Sequence, residues 1–244
     1  MIIFASLIAF LIGIGTGALL FSVYMKPKHV KQFSKKEAQL LNILNTVAMA
    51  HDIETGNHIL RTQHYVRLIA ERLKQSNAYP GLIPANINNM YLAASLHDIG
   101  KIGIPQHILK KVNLLSDEEW KIMKTHTTIG EEIINAIRSA NPQKNDVIEF
   151  AFQIVGGHHE RWDGSGYPRG LKGKEIPLAA RIMALADIYD ALVNERVYKK
   201  SWSHEDAMAY IVSNKGVYFD PSIVDAFLRE QVPFQKISTS YKDN

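Results

Sequence analysis

Histidine and carboxylate residues that can bind divalent metal ions recur along the middle of the chain. His97 and Asp98 are adjacent, so one short piece of backbone offers both an imidazole nitrogen and a carboxylate. Such donors bind hard or borderline divalent ions, and two ions about 3.5–4 Å apart can lower the pKa of a shared water and direct it at phosphorus. Six residues are therefore candidate metal ligands: His97, Asp98, His126, His158, His159 and Asp187.

A His-Asp pair is a weak signal by itself, because the chain carries a second one, His51-Asp52. The pair His97-Asp98 differs from His51-Asp52 because further candidate ligands follow it: His126, His158, His159 and Asp187. The other histidines lack an acidic or histidine partner at ligand spacing, lie beside the apolar N-terminal segment or could end a helix. We expect none of them to be a ligand: His29, His51, His64, His107 and His204.

Glu54 and His58 form a second candidate group, because residues four apart share one face of a helix. This spacing suits two ligands of one metal ion. The alternative is an ordinary helix start, with Glu54 in the first turn and Gly56 as a turn residue.

The elements that must position these residues are helical almost throughout. Apolar residues recur at helical spacing, for example at Val66, Ile69, Ala70 and Leu73, and no sustained two-residue alternation is present. Ser116-Asp117-Glu118-Glu119 predicts a capping box, and Asp220-Pro221 predicts another helix start. The longest irregular stretch, 160–177, is rich in glycine, and long loops within a helical domain are often functional. The sequence predicts an all-α domain.

Composition excludes several classes of site. The 244 residues include no cysteine, which excludes disulfides, thiolate zinc sites and cysteine nucleophiles. The net charge of +4 is local, because five of the 28 basic residues lie between 26 and 36 while the chain carries 24 acidic residues. The rest is near neutral, so we expect no nucleic-acid polymer as a partner.

The N-terminal segment predicts a membrane anchor. No charged residue occurs from 2 to 25, and as a helix this stretch would be roughly 36 Å long, enough to cross a hydrocarbon core of about 30 Å. The lysines that follow place residues after 25 in the cytoplasm. The alternative is a buried core helix. Gly13 and Gly17 have the GxxxG spacing that could pair two anchors in a homodimer.

The chain resembles the HD-GYP subgroup of HD-superfamily phosphohydrolases, which are bacterial. The segments that carry the resemblance occur in family order and cover nearly all of the region after the anchor: DIETGNHILR, LHDIGKIGIP, HTTIGEEI, GGHHERWDGSGYPRGLKGKEIPLAARIMALADIYDAL, NERVYKK and GVYFDPSIVDAFL. The resemblance implies a helical bundle of the HD-domain type with a central site for iron or manganese. It also implies that the six candidates are ligands and that Glu54 and His58 bind a third ion, so three ions are favoured over two.

The resemblance further implies hydrolysis of cyclic di-GMP to linear pGpG, GMP or both. Catalysis would rest on His97, Asp98 and Lys101, although a lysine at a helix end is also ordinary. Arg196 and Lys199 would clamp substrate phosphates. The substrate-binding set would also include Lys101, which would reach a phosphate oxygen or the leaving group, and Asp190. Asp190 lies on the same helical face as Asp187 and could orient Lys101 or a ligand histidine.

Tyr167 would offer a ring to a guanine or a hydroxyl to a phosphate, or it simply packs on the bundle. The expected organisation is an anchor at 1–25, a basic juxtamembrane segment at 26–36 and the phosphodiesterase domain at 37–244. The protein would cross the bacterial inner membrane once, with its catalytic domain in the cytoplasm.

Two features leave alternatives open. Gln106 and Lys111-Val112-Asn113 replace an aspartate and a proline-glycine turn that are common in the family, which puts loop geometry and turnover in doubt but not metal binding. The alternatives to cyclic di-GMP hydrolysis are a phosphodiesterase for another cyclic dinucleotide and a weakly catalytic cyclic di-GMP receptor.

Overall fold

The computed structural model describes residues 43, 44, 46, 56–76, 79–140, 145–195 and 200–242. The chain divides into two units, Met1–Ile43 and Leu44–Asn244, and almost all described residues belong to the second. None of the described helices combines the length and apolar character that crossing a bilayer requires. The predicted anchor at 1–25 and the basic segment at 26–36 lie outside the described residues.

The described part of the second unit is helical, as predicted, and its only β-pairing is one isolated bridge between Lys215 and Phe219. Its α-helices are α1 (Gly56–Gln75), α2 (Pro84–Ala94), α3 (Gln106–Leu109), α4 (Asp117–Lys124), α5 (His126–Ala140), α6 (Asp146–Gly157), α7 (Leu178–Val193), α8 (His204–Ser213), α9 (Pro221–Arg229) and α10 (Gln231–Ser240). Two short 3₁₀ helices span Ile99–Gly103 and Gly173–Glu175.

The core forms where α1, α2, α6 and α7 pack on one another. Helix α1 buries the predicted face of Val66, Ile69, Ala70 and Leu73. Helix α7 is buried along most of its length, which suits a central helix that other helices surround. An aromatic cluster, in which Tyr65 stacks on Phe234 with ring centroids 4.4 Å apart, ties α10 to α1.

Both predicted helix starts are confirmed. Ser116 and Glu119 form the capping box of α4, in which the Glu119 carboxylate accepts from Ser116 N at 2.7 Å. The Asp220 carboxylate caps α9 by accepting from Ser222 N at 2.8 Å, and Pro221 is the first helical residue. These local bonds satisfy N–H groups that have no partner within the helix.

A close glycine contact brings the 3₁₀ helix Ile99–Gly103 against the start of α5. A Cβ atom at Gly100 would lie 1.8 Å from the carbonyl oxygen of His126 and 2.5 Å from Gly130 N. Only a residue without a side chain allows this approach. The contact therefore brings the Asp98 region next to His126.

Candidate metal centre

Four of the predicted ligands converge at one point of the bundle. Asp98 follows α2, His126 begins α5, and His158 and His159 follow the end of α6 at Gly157. Each offers one nitrogen or oxygen atom within 4.8 Å of the others. We call this group the first cluster.

A second cluster lies beside it and consists of His58, His97 and Asp187. The Nε2 atoms of His58 and His97 are 3.3 Å apart, and His58 Nε2 is 3.9 Å from Asp187 Oδ1. The two clusters meet where His97 Nε2 lies 3.1 Å from Asp98 Oδ2. All seven described ligand candidates from the sequence therefore belong to one of two adjoining groups.

Helix ends orient three of the rings. A carbonyl oxygen in the last turn of a helix has two lone pairs, and an imidazole just beyond the end can donate its Nδ1 hydrogen to one of them. The bonds are His97 Nδ1 to Ala94 O at 3.0 Å, His126 Nδ1 to Met123 O at 2.8 Å and His158 Nδ1 to Ile154 O at 3.0 Å. Because Nδ1 holds the hydrogen, the opposite nitrogen, Nε2, presents a lone pair to the centre.

The electron-rich atoms at the centre suit a bound cation. Among the residues that the structure describes, the buried atoms Asp98 Oδ1, His126 Nε2 and His158 Nε2 have no hydrogen-bond partner, although His126 Nε2 is only 3.3 Å from Asp98 Oδ1. Two acceptor atoms at that distance repel each other, and buried polar atoms are ordinarily satisfied. A divalent ion would bind both atoms, so these residues fit a metal centre.

The protonation states also suit metal binding. Burial lowers the pKa of His126 to about 4, and burial together with the neighbouring His158 lowers the pKa of His159 well below its usual value. Burial alone would raise the pKa of Asp98, but the Lys101 ammonium and His97 hold it well below the ordinary range. Neutral imidazoles and an ionised carboxylate are the forms that bind metals.

Asp190 supports His58 from behind. Its Oδ2 accepts from His58 Nδ1 at 2.8 Å, and the Arg61 guanidinium donates to both carboxylate oxygens at 2.7 and 2.9 Å. Asp190 is 1% exposed, so it orients a candidate ligand rather than forming a substrate surface. Of the two roles predicted for it, the structure brings it to a histidine and not to Lys101.

Arg61 is a site residue that the sequence interpretation missed. It is also 1% exposed, and it donates from Nη1 to the carbonyl of Tyr241 at 2.5 Å. Its position three residues after His58 on one helical face was a usable signal. Tertiary structure alone supplies the partner, 129 residues further along the chain.

Lys101 and Tyr167 border the first cluster. Lys101 Nζ lies 2.8 Å from Asp98 Oδ2. The Tyr167 ring stacks on His159 with centroids 4.8 Å apart and planes 26° from parallel, and burial raises its pKa. One face of Tyr167 therefore packs on a candidate ligand, and its role towards a guanine or a phosphate stays a prediction.

Glu160 is a second residue that the sequence interpretation missed. It fixes the loop that carries Tyr167. The buried Glu160 carboxylate accepts from Arg169 N at 2.8 Å and from Leu171 N at 3.0 Å. A Cβ atom at Gly166 would lie 2.5 Å from the Cα of Glu160, so this turn needs a glycine.

The remaining predicted residues are distributed as follows. Glu54, Arg196 and Lys199 lie outside the described residues, as do His29 and His51. His64 stacks on Tyr241, His204 bonds to the Tyr189 hydroxyl, and His107 is exposed. None of these three described histidines belongs to either cluster.

Comparison with known proteins agrees with this geometry. The chain matches the model of the HD domain family over residues 29–223. It belongs to the HD domain family. A "Probable cyclic di-GMP phosphodiesterase" of Vibrio cholerae is 47% identical to this HD domain protein over 201 residues, which cover 82% of this chain and 46% of the relative. The resemblance of the chain to HD-GYP phosphohydrolases, stated from its motifs, is confirmed.

Two further relatives bear on the HD domain. A "3'3'-cGAMP-specific phosphodiesterase 2" of Vibrio cholerae is 39% identical over 202 residues, covering 83% of this chain and 36% of the relative. A crystal structure of a cyclic GMP-AMP specific phosphodiesterase of V. cholerae matches with a TM-score of 0.54 at 19% identity, covering 85% of this chain and 51% of that one. That likeness shows the shared fold alone. The chain spans about half the length, or less, of these relatives.

Proposed function

We propose that this protein is a metal-dependent phosphodiesterase that hydrolyses cyclic di-GMP to pGpG, GMP or both. The observation that carries the proposal is the pair of adjoining buried clusters, in which acceptor atoms such as Asp98 Oδ1 and His126 Nε2 lie 3.3 Å apart. Relatives that share close to half of the aligned residues are named for this activity.

The protein's own side chains would divide the work as follows. Metal ions bound by the two clusters would polarise a phosphate and lower the pKa of water. His97, Asp98 and the other candidate ligands would hold these ions, and the carbonyl bonds behind the rings of His97, His126 and His158 would keep their Nε2 atoms directed at the site. Lys101, a cation 2.8 Å from Asp98, could bind a phosphate oxygen of the substrate or of the leaving group.

The substrate is a cyclic dianion, so cations are needed beyond the metal centre. We assign Arg196 and Lys199 to the phosphate that the metal ions do not hold. Asp190 acts through His58 and not on the substrate.

We further propose three ions, either iron or manganese. The second cluster already offers His58, His97 and Asp187, and Glu54 would complete the set for the third ion. Imidazole and carboxylate donors without thiolates suit iron and manganese.

The test uses the full chain, purified in detergent, loaded anaerobically with Fe(II) or Mn(II), and incubated with cyclic di-GMP. Chromatography should detect pGpG or GMP. His97→Ala should abolish hydrolysis and reduce the bound metal, whereas His107→Ala, which removes an exposed histidine outside both clusters, should change neither. Normal turnover and full metal occupancy in His97→Ala would contradict the proposal.

Another cyclic dinucleotide is the main competing substrate, since one relative is named as specific for 3'3'-cGAMP. Parallel assays with both nucleotides at equal concentration decide between them by the ratio of kcat/KM. Tight binding of cyclic di-GMP by fully loaded protein without any product would instead identify a receptor.

We also propose that residues 2–25 anchor the protein in the inner membrane, with residues 26–244 in the cytoplasm. The uncharged segment and the lysines that follow support this topology. Protease added to intact spheroplasts should leave residues 26–244 uncut. Digestion of these residues from outside would indicate the opposite orientation.

A further inference from the structure

A half-exposed tryptophan lies at the edge of the candidate metal centre. Trp120 on α4 is 46% exposed, and none of the residues of this helix is buried. Its indole meets the Tyr167 ring at 78°, with centroids 6.4 Å apart. Tyr167 in turn stacks on His159 of the first cluster. Only two ring contacts therefore separate an open indole from a candidate metal ligand.

A lysine accompanies the two rings. Lys124 Nζ lies 5.6 Å from the centre of the Tyr167 ring and 6.0 Å from that of Trp120. Among the residues that the structure describes, no carboxylate forms an ion pair with Lys124. An aromatic surface beside a cation is the combination that binds a nucleobase and its neighbouring phosphate.

Helix α4 is held in a defined position relative to the metal centre. Its last turn supplies Met123 O, which accepts from the ring of His126 at 2.8 Å. Its first turn is held by the Ser116 capping box and by the ion pair of Lys111 with Glu119 at 2.5 Å. Trp120 lies between these two fixed ends, so its ring needs little further ordering when a ligand arrives.

We propose that a purine base of the substrate stacks on the Trp120 indole while Lys124 binds a phosphate of the same substrate. The inference rests on the proposed function and extends it by assigning the base-binding wall to α4. Tyr167 has one face against His159, so Trp120 offers the more open aromatic surface.

The test compares variants of the full, metal-loaded chain. Trp120→Leu keeps an apolar side chain and removes the aromatic surface, whereas Trp120→Phe keeps a ring. We expect Trp120→Leu to raise the KM and the dissociation constant for cyclic di-GMP about tenfold or more, and Trp120→Phe to stay within about threefold of the parent, a bound set by the ring that it retains. Inhibition by inorganic phosphate and the metal content should not change in either variant.

Lys121 provides a matched control for Lys124, because it is an exposed lysine on the same helix. Lys124→Ala should weaken cyclic di-GMP binding and reduce its salt dependence, since a phosphate contact is lost. Lys121→Ala should change neither quantity.

The outcomes separate this inference from the proposed function. Unchanged affinity for cyclic di-GMP in Trp120→Leu would overturn the stacking, even if the parent protein turns the substrate over. Loss of metal or weaker phosphate inhibition in that variant would overturn it too, because Trp120 would then support the centre itself. If the parent binds cyclic di-GMP without cleaving it and Trp120→Leu binds it more weakly, hydrolysis fails and the stacking stands. If the parent does not bind the nucleotide, both fail.

Discussion

Replacement of Asp190 by asparagine tests whether the polar chain behind His58 supports the metal centre. The change preserves the size of the side chain but removes its negative charge. Whether the amide nitrogen took the place of Oδ1 or of Oδ2, it would face an N–H donor of Arg61 and could not accept from it. The buried carboxylate accepts from His58 at 2.8 Å and from Arg61 at 2.7 and 2.9 Å. The variant would remove the negative charge of Asp190 from beside the Arg61 guanidinium, which is 1% exposed.

Two separate losses should follow. Breaking a buried ion pair from one side costs about 3–5 kcal/mol in the free energy of unfolding. Loss of the group that orients a ligand histidine lowers metal affinity about 10- to 100-fold, which corresponds to about 1.4–2.8 kcal/mol. Asp225→Asn is the control, because Asp225 pairs with Lys215 at the surface and such pairs contribute about 0–1 kcal/mol.

The first loss is measured by urea unfolding of chelator-treated protein, and the second by metal competition titration and metal counting. The double variant Arg61→Leu, Asp190→Leu should regain part of the stability, since neither member of the pair is left as an uncompensated buried charge. It should not regain the metal affinity. Asp190→Asn with the parent's urea midpoint and the parent's metal affinity would refute the supporting role of this pair.

Three further predictions concern packing, pH and the third ion. Gly100→Ala should lower the free energy of unfolding in urea by about 3 kcal/mol or more, because the added Cβ would collide with the backbone of α5. Gly81→Ala is the control and should be near neutral, since nothing lies within 4 Å of the added carbon. Equal urea midpoints for the two variants would contradict the close contact. Burial holds the folded pKa of His126 near 4, below its unfolded value of 6.5. Between these two pH values the unfolded chain binds more protons, so metal-free protein should lose stability as the pH falls from 6.5 towards 4. A urea midpoint that does not change over this pH range would argue against a buried neutral ring. Glu54→Ala should reduce three ions to two in a protein that stays folded, with weaker substrate binding and slower cleavage of pGpG; metal counts equal to those of the parent would make Glu54 an ordinary helix-start residue.

Local patterns predicted the helices because the interactions that produce them are local. The capping bonds of Ser116 and Asp220 join residues two or three apart, and the buried face of α1 follows from apolar spacing alone. Within the glycine-rich stretch 160–177, Gly164 has a φ of 87°, which favours glycine for an equally local reason.

Pairings between distant residues could not be predicted in this way. The ion pair of Arg61 with Asp190 joins positions 129 apart, and no spacing rule connects them. Asp190 was expected to act on a ligand histidine or on Lys101, and packing of α1 against α7 selects His58. The position of Trp120 beside Tyr167 has the same origin, because the loop after α6 folds back onto α4.

The sequence by itself determined the chemical nature of the centre: imidazole and carboxylate donors, no thiolates, and helices to carry them. The tertiary structure decided how these donors divide into two adjoining clusters and which ring nitrogen His97, His126 and His158 present. The reason is that a tautomer depends on the partner of the opposite nitrogen. Those partners are carbonyls at the ends of α2, α4 and α6, and packing of these helices brings the three buried Nε2 atoms into the two adjoining clusters.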